Sequence, residues 1–381
     1  MTGGFALGSF LARWGHQGRH DLSASESATL TLSSLLDMAG EDDWRRWHEL
    51  GLGYAEPHGA HWLRAAIADR YYDLAADNVL CCAGAQEGLA CVMRALLAPG
   101  DHAVVVVPIY QPSEHAVTSI CAATGVPLEE HDGWQLDIAR VAAAIRPETR
   151  LVLVNFPNSP TGASITRSAL AALVALCRRH GLWLVNDEVY DQTGSDPCLC
   201  PSPVADIYER GVSINALSKG FGLPGLRVGW VVCQDRPLLA KVLLAKSVLS
   251  SCLAGPSEVL AHIALQEAPQ IIGRNRAIAR ANWQCLQAVL CRHPDLFEAH
   301  RPGNAVLAFP RYLGADGADG FAVRLVRETG VLVLPSSLWR SPLAAVPDDR
   351  LRIGLGRVGA GPALEVMDEY LTRRARAVAA A

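Results

Sequence analysis

One lysine carries the first hint of chemistry in this chain. Lys219 lies in Ser218-Lys219-Gly220-Phe221-Gly222-Leu223-Pro224-Gly225-Leu226-Arg227-Val228-Gly229, directly after an apolar run that reads as a strand. An amine held against a pocket in this way forms an imine with an aldehyde. Arg227, in the same glycine-rich stretch, supplies a cation that clamps a phosphate. An aldehyde that also carries a phosphate points to pyridoxal 5′-phosphate (PLP).

Other groups stand at comparable positions. Gly84-Ala85-Gln86-Glu87-Gly88 opens a helix just after Asn78-Val79-Leu80. Free backbone N–H groups at such a helix start suit a phosphate. Pro108-Ile109-Tyr110 ends a strand with a ring that stacks on a flat cofactor. Asn155-Phe156-Pro157-Asn158-Ser159-Pro160-Thr161-Gly162 reads as a rigid turn, and Asp187-Glu188-Val189-Tyr190 closes the next strand. Arg352 follows much later, in Leu351-Arg352-Ile353-Gly354. Taken singly, Asp187 reads as a helix cap, Tyr190 as a core tyrosine, Arg352 as a surface ion pair and Lys219 as a solvated amine. Their order along the chain gives them a common meaning.

Short apolar runs must position these groups. Val104-Val105-Val106-Val107-Pro108, Leu151-Val152-Leu153-Val154-Asn155 and Leu182-Trp183-Leu184-Val185-Asn186-Asp187 read as buried strands. So do Val212-Ser213-Ile214-Asn215 and Val228-Gly229-Trp230-Val231-Val232. Amphipathic stretches such as residues 168–179 lie between them. This alternation predicts an α/β fold with a mostly parallel sheet covered on both faces. Chemistry in such sheets collects beyond the carboxyl ends of the strands. After about residue 270 the pattern becomes α+β, with a long helix through residues 275–291 and strands near 306–309, 331–334 and 351–355. The expected division is an N-terminal segment (1–40) packed on the small domain, a large domain (41–270) and a small C-terminal domain (271–381).

In this order the motifs resemble the class I/II aminotransferases, which are fold-type I PLP enzymes. The resemblance runs from Tyr54 to Arg352. It implies a mostly parallel seven-stranded sheet flanked by helices, with a smaller α+β C-terminal domain. It also implies roles. Lys219 forms the imine and shuttles the proton, and Asp187 pairs with the ring nitrogen. Tyr190 bonds the phenolic oxygen, and Tyr110 stacks on the ring. Backbone groups of Ala85 and Gln86, with Arg227, hold the phosphate, and Gly84 and Ser218 also bind the cofactor. Tyr54 matches a tyrosine that reaches the phosphate of a neighbouring subunit, which implies a homodimer with shared sites. Arg352 takes the substrate α-carboxylate as a bidentate pair. The implied substrates are an amino acid and a 2-oxo acid.

Two positions depart from the family pattern. Ser159 stands where asparagine usually precedes Pro-Thr-Gly; its side chain is shorter, so Ser159 itself, Asn155 or Asn158 is the candidate to meet the cofactor there. Ala216 stands where a phosphate-binding hydroxyl is usual, which removes one contact. The motifs leave the outcome of the reaction open. Transamination is the commonest activity of the family. Local resemblance of Asp21-Leu22-Ser23-Ala24-Ser25-Glu26-Ser27 and the Lys219 stretch to the branch containing capreomycidine synthase keeps a cyclising, eliminating or oxidising enzyme in view. In that reading Glu26 recognises a basic side chain of an arginine-derived substrate. The bland reading of Glu26 is a solvated acid or a cap on a helix over residues 31–38.

Bulk properties narrow the partners. The net charge of −4 gives no reason to expect nucleic acid or an anionic membrane. No basic helix-turn-helix segment supports a transcription regulator built on this fold. The longest apolar runs fall far short of the roughly 20 residues that span a bilayer. Residues 1–11 lack a basic region followed by a long apolar core, so no signal peptide is expected. The 11 cysteines show no zinc-ribbon spacing, including Cys81-Cys82 and Cys198-Leu199-Cys200. They are expected to be reduced thiols of a cytoplasmic protein, with no metal bound.

Overall fold

The computed structural model describes residues 5–193, 201–298 and 306–379. A short strand, β1 (His20–Asp21), precedes the seven strands of the main sheet. These are β2 (Val79–Cys82), β3 (His102–Val107), β4 (Ala122–Pro127), β5 (Thr149–Asn155), β6 (Trp183–Asp187), β7 (Gly211–Ala216) and β8 (Gly229–Cys233). Their spatial order is β2-β8-β7-β6-β5-β3-β4. Five strands, from β7 to β4, run parallel, while β8 is antiparallel to both β7 and β2. This is the mostly parallel seven-stranded sheet that the resemblance implies.

The valine-rich strands explain the layering. Val104, Val106, Val152 and Val154 pack with Leu170, Leu173 and Cys177 on one face. Val105, Val107, Leu151 and Leu153 pack with Leu89, Val92, Leu238 and Val242 on the other. Successive side chains alternate across a strand, so an unbroken apolar run feeds both cores. Between β5 and β6, Thr166 caps the Arg167–His180 helix by accepting from Ala169 N, and Gly181 ends it in the left-handed conformation. The edge strand β4 escapes sequence reading because Ala122-Ala123-Thr124-Gly125-Val126-Pro127 has little strand propensity and ends in proline.

A third core gathers Leu286, Phe321, Leu325, Ile353, Leu364 and Met367. The Ala268–Arg292 helix joins the cores: Ile271 and Ile272 pack with the large body, Leu286 and Leu290 with the small one. The N-terminal segment divides where the sequence suggests a single docking. β1 pairs in parallel with Val331–Leu332 of the small body. Leu35 instead enters the large core with Leu223 and Leu253, because the Leu32–Leu36 helix lies against it. Among the described residues the cysteines are free thiols, and burial pushes Cys81, Cys177 and Cys233 up to about 12. Cys198 and Cys200 lie outside the described residues. No helix among the described residues is long and apolar enough to cross a membrane.

Beneath the sheet end, Glu188 turns away from its neighbour Asp187. Its Oε1 accepts from Val204 N (2.9 Å), Ser213 Oγ (2.9 Å) and Asn186 Nδ2 (3.2 Å). Burial pushes its carboxyl up to about 8, against those stabilising bonds. The folded protein therefore holds this proton longer than the unfolded chain. The resulting stability is present at low pH and is lost as pH rises from roughly 4.3 toward 8. The melting temperature of the cofactor-free chain is expected to fall over this range. Glu188→Gln should flatten the fall; an unaltered slope in that variant would assign the titration elsewhere.

Candidate active site

Parallel neighbours in a sheet lie about 4.8 Å apart, so strand ends in register bring their residues together. Asn155 pairs with Asp187 across β5 and β6, and Asp187 pairs with Ile214 across β6 and β7. Lys219 follows β7 by a short loop. These ends and the segment after β1 enclose a cavity of about 250 Å³. Ser25, Tyr110, Asp187, Tyr190, Lys219 and Arg352 are among the residues that line it.

Lys219 Nζ donates to Ser25 Oγ at 2.7 Å and sits 5.6 Å from the centre of the Tyr190 ring. Asp187 takes one long hydrogen bond, from Val189 N at 3.4 Å. Burial pushes its carboxyl up to about 6, partly offset by that bond and by the Lys219 charge. Arg352 is buried on β-strand Leu351–Gly354, with its guanidinium 4.8 Å from the centre of the Trp339 ring. Nη2 donates to Ser23 O, while Nε is buried and unpartnered. No carboxylate forms an ion pair with Arg352 among the described residues. A buried guanidinium in that state is costly unless something else supplies the counter-charge.

Another part of the lining is built for a different anion. Gly84 takes φ +91° at the start of the Ala85–Leu96 helix. A Cβ there would lie 2.5 Å from Arg227 Nη2. Arg227 Nη1 and Nη2 donate to Pro224 O (3.1 Å) and Ala83 O (3.2 Å), which fixes the guanidinium beside the helix start. The N–H groups of Ala85 and Gln86 belong to the unpaired first turn. Helix dipole and guanidinium thus act on one spot.

Comparison with known proteins agrees with this geometry. The family model for aminotransferase class I and II matches residues 22–358. The chain belongs to the class I and II aminotransferases. Their cofactor, PLP, is also the cofactor of this chain. Arginine–pyruvate transaminase of Pseudomonas aeruginosa is 33% identical over 65% of the chain, an alignment that spans 59% of that enzyme. Capreomycidine synthase of Streptomyces vinaceus is 32% identical over 78% of the chain and 74% of that protein. A PLP-dependent aminotransferase structure from Streptococcus suis superposes with a TM-score of 0.90 at 25% identity, covering 98% of this chain and 99% of its own. The PLP-dependent cyclase OrfR superposes at 0.86 with 28% identity, covering 98% of each chain.

The aminotransferase cavity fits PLP on features of its own. Gly84 leaves a cradle that a side chain would fill. Asp187 is a recessed acid short of donors. Tyr190 and Ser159 line the cavity, and neither hydroxyl has a hydrogen-bond partner among the described residues. Ala216 presents only a methyl group there.

Asn158, Glu26 and Tyr54, all expected at the site, do not line the cavity. Asn158 is fully buried and does not line the cavity. Its Nδ2 donates to Pro108 O (3.1 Å), and its Oδ1 accepts from Thr161 N and Thr161 Oγ1. Asn155 lines the cavity, but its amide is occupied by Asp187 O, Pro157 O and Ser159 N. That leaves Ser159, the short residue at the departing position, with a free hydroxyl. Glu26 also does not line the cavity. Its Oε1 pairs with Arg357 Nη2, and its Oε2 accepts from Ser25 N at 3.1 Å. Burial opposes its charge, but Arg357 and Lys219 hold the carboxyl below its ordinary value. The Glu26 carboxylate is thus engaged by Arg357 and is not part of the cavity lining. Tyr54 stands 97% exposed, away from this cavity.

Leu7 and Ser25 also line the cavity, and Trp339 lies against Arg352. No local pattern marks them, because each arrives from a distant element. The cradle yields a test. Gly84→Ala is expected to raise the dissociation constant for PLP at least tenfold, measured by equilibrium titration of cofactor-free protein, since the new methyl displaces Arg227. Undiminished affinity would remove this loop from phosphate binding.

Proposed function

We propose that this chain is a PLP-dependent aminotransferase that moves the amino group of an L-α-amino acid to a 2-oxo acid, with Lys219 as its reactive amine. The observation that carries the reading is the buried Arg352 guanidinium, which lacks a carboxylate and shares one cavity with the Lys219 amine and the Asp187 acid. The bound cofactor supplies an aldehyde for covalent attachment and a ring that accepts electron density from the substrate α-carbon. Lys219 Nζ would remove the α-proton as general base and then deliver a proton to a different carbon as general acid. Asp187 would pair with the protonated ring nitrogen. Tyr190 and Ser159 would donate to the cofactor's phenolic oxygen, and Tyr110 would pack against its ring. Gly84, Ala85, Gln86, Ser218 and Arg227 hold the phosphate. Arg352 receives the substrate α-carboxylate, which orients the α-carbon toward Nζ.

The assembly we propose is a cytoplasmic homodimer. The exposure of Tyr54 supports it, since a tyrosine with no role in its own chain's cavity is available to a partner's. A second reading, a cyclising, eliminating or oxidising enzyme on an arginine-derived amino acid, is favoured by the similarity to capreomycidine synthase and to the cyclase OrfR. The similarity to arginine–pyruvate transaminase favours the first. Supplying L-amino acids and mass-analysing the products separates them. A 2-oxo acid with loss of visible cofactor absorbance is the expected result. Ammonia release, oxygen uptake or a cyclic product would establish the second reading.

Two variants test the roles. Lys219→Ala should lose turnover while keeping the wild-type melting profile, and borohydride reduction of wild-type protein should add a pyridoxyl mass to the Lys219 peptide. Arg352→Ala should raise the amino-acid KM about 100-fold, the scale of unpairing a buried charge, and leave PLP affinity near wild type. Equal loss of substrate and cofactor would take Arg352 out of the substrate role.

A further inference from the structure

Ser25 comes from the N-terminal segment, 194 residues before Lys219, yet its hydroxyl is the hydrogen-bond partner of the lysine amine at 2.7 Å. The contact is held from both sides. On the lysine side, Ser27 N donates to Lys219 O at 3.1 Å, so this backbone and that of the lysine are tied together. On the serine side, Ser25 N donates to Glu26 Oε2, and Glu26 pairs with Arg357. Arg357 Nη1 also binds Asp21 Oδ2 at 2.8 Å, and Asp21 Oδ1 accepts from Ser23 N (2.8 Å) and Ser23 Oγ (2.6 Å). Ser23 O in turn accepts from Arg352. A chain of polar contacts therefore runs from Lys219 through residues 21–26 to Arg352. Close packing completes the clamp: a side chain at Gly354 would run into Ala24 O, and one at Gly356 into Glu26 O.

We infer that Ser25 is a positioning residue for the Lys219 amine, and that its hydroxyl sets the direction in which the free amine presents its lone pair. This rests on the reading of Lys219 as the reactive amine. A primary amine at the end of four methylenes rotates freely unless one N–H is fixed. Ser25 Oγ fixes one N–H. The lone pair then has a defined direction relative to Arg352, whose guanidinium orients the substrate. Proton transfer depends on such alignment, because general-base efficiency falls steeply when donor and acceptor are misplaced. Glu26 acts at one remove, by holding the Ser25 backbone.

The chain has three lysines, Lys219, Lys241 and Lys246, which makes a direct readout simple. The full-length protein is loaded with pyridoxamine 5′-phosphate, which leaves Lys219 unattached, and pulsed with trace isotopic acetic anhydride. Labelling of the Lys219 peptide is read against that of exposed Lys241 in the same digest. In Ser25→Ala and Ser25→Gly the relative labelling of Lys219 is expected to rise about fivefold, as for loss of one ordinary hydrogen bond. The same variants should lower kcat about tenfold with the amino-acid KM unchanged. Ser25→Thr, which keeps the hydroxyl, should restore both. Wild-type labelling in Ser25→Ala, or a threonine variant as impaired as the alanine one, would overturn the role of the hydroxyl. Borohydride trapping of PLP on Lys219 in the wild-type protein is scored separately, so failure of the lysine assignment is distinguishable from failure at Ser25.

Discussion

The active cavity depends on a short piece of backbone, residues 22–28, being pinned across the ends of the sheet strands. Backbone N–H and C=O groups removed from water must find partners, and here those partners lie on both bodies of the protein. Leu22 N donates to Leu332 O, and Gly354 N donates to Leu22 O, on the small body. Ser27 N donates to Lys219 O on the large one. One segment therefore sets the distance between Lys219, at the end of a main-sheet strand, and Arg352, on a strand of another sheet. Loosening it would leave each charged group intact and their relation undefined.

Charge is distributed to leave the cavity hungry for anions. Its lining includes the cations Lys219, Arg227 and Arg352 but only one acid, Asp187. Low-dielectric walls strengthen the resulting field. Glu26 stands near enough to influence both Lys219 and Arg352, yet its carboxylate is committed to Arg357. That commitment keeps Arg352 available. The two anion sites also differ in kind. Arg227 works with a helix start and suits a phosphate, whereas Arg352 stands alone over Trp339 and suits a planar carboxylate.

Asp187 and Glu188 show how one residue of offset separates chemistry from architecture. Side chains alternate across a strand, so neighbours at its end face opposite ways. Asp187 faces the cavity with a single long hydrogen bond, while Glu188 faces inward and accepts three. The first acid is left to be completed by a ligand. The second is completed by the protein and locks the loop after β6 to β7 and to the Val204–Ile207 helix.

The sequence by itself determined the polar groups that line the cavity and the strands that carry them. Lys219, Asp187, Tyr190, Arg227 and Arg352 are legible because each sits at a fixed offset from an apolar run or a glycine-rich turn, and such local patterns follow from backbone sterics and burial. The weak edge strand β4 was not legible, since pairing with β3 rather than propensity makes it a strand. Tertiary structure alone decided which polar groups meet. It turned Asn158 into the turn and left Ser159 facing the cavity, joined Glu26 to Arg357, and brought Ser25 to Lys219. Those outcomes depend on side-chain direction and on contacts between elements far apart in the chain, and neither is encoded in the spacing of nearby residues.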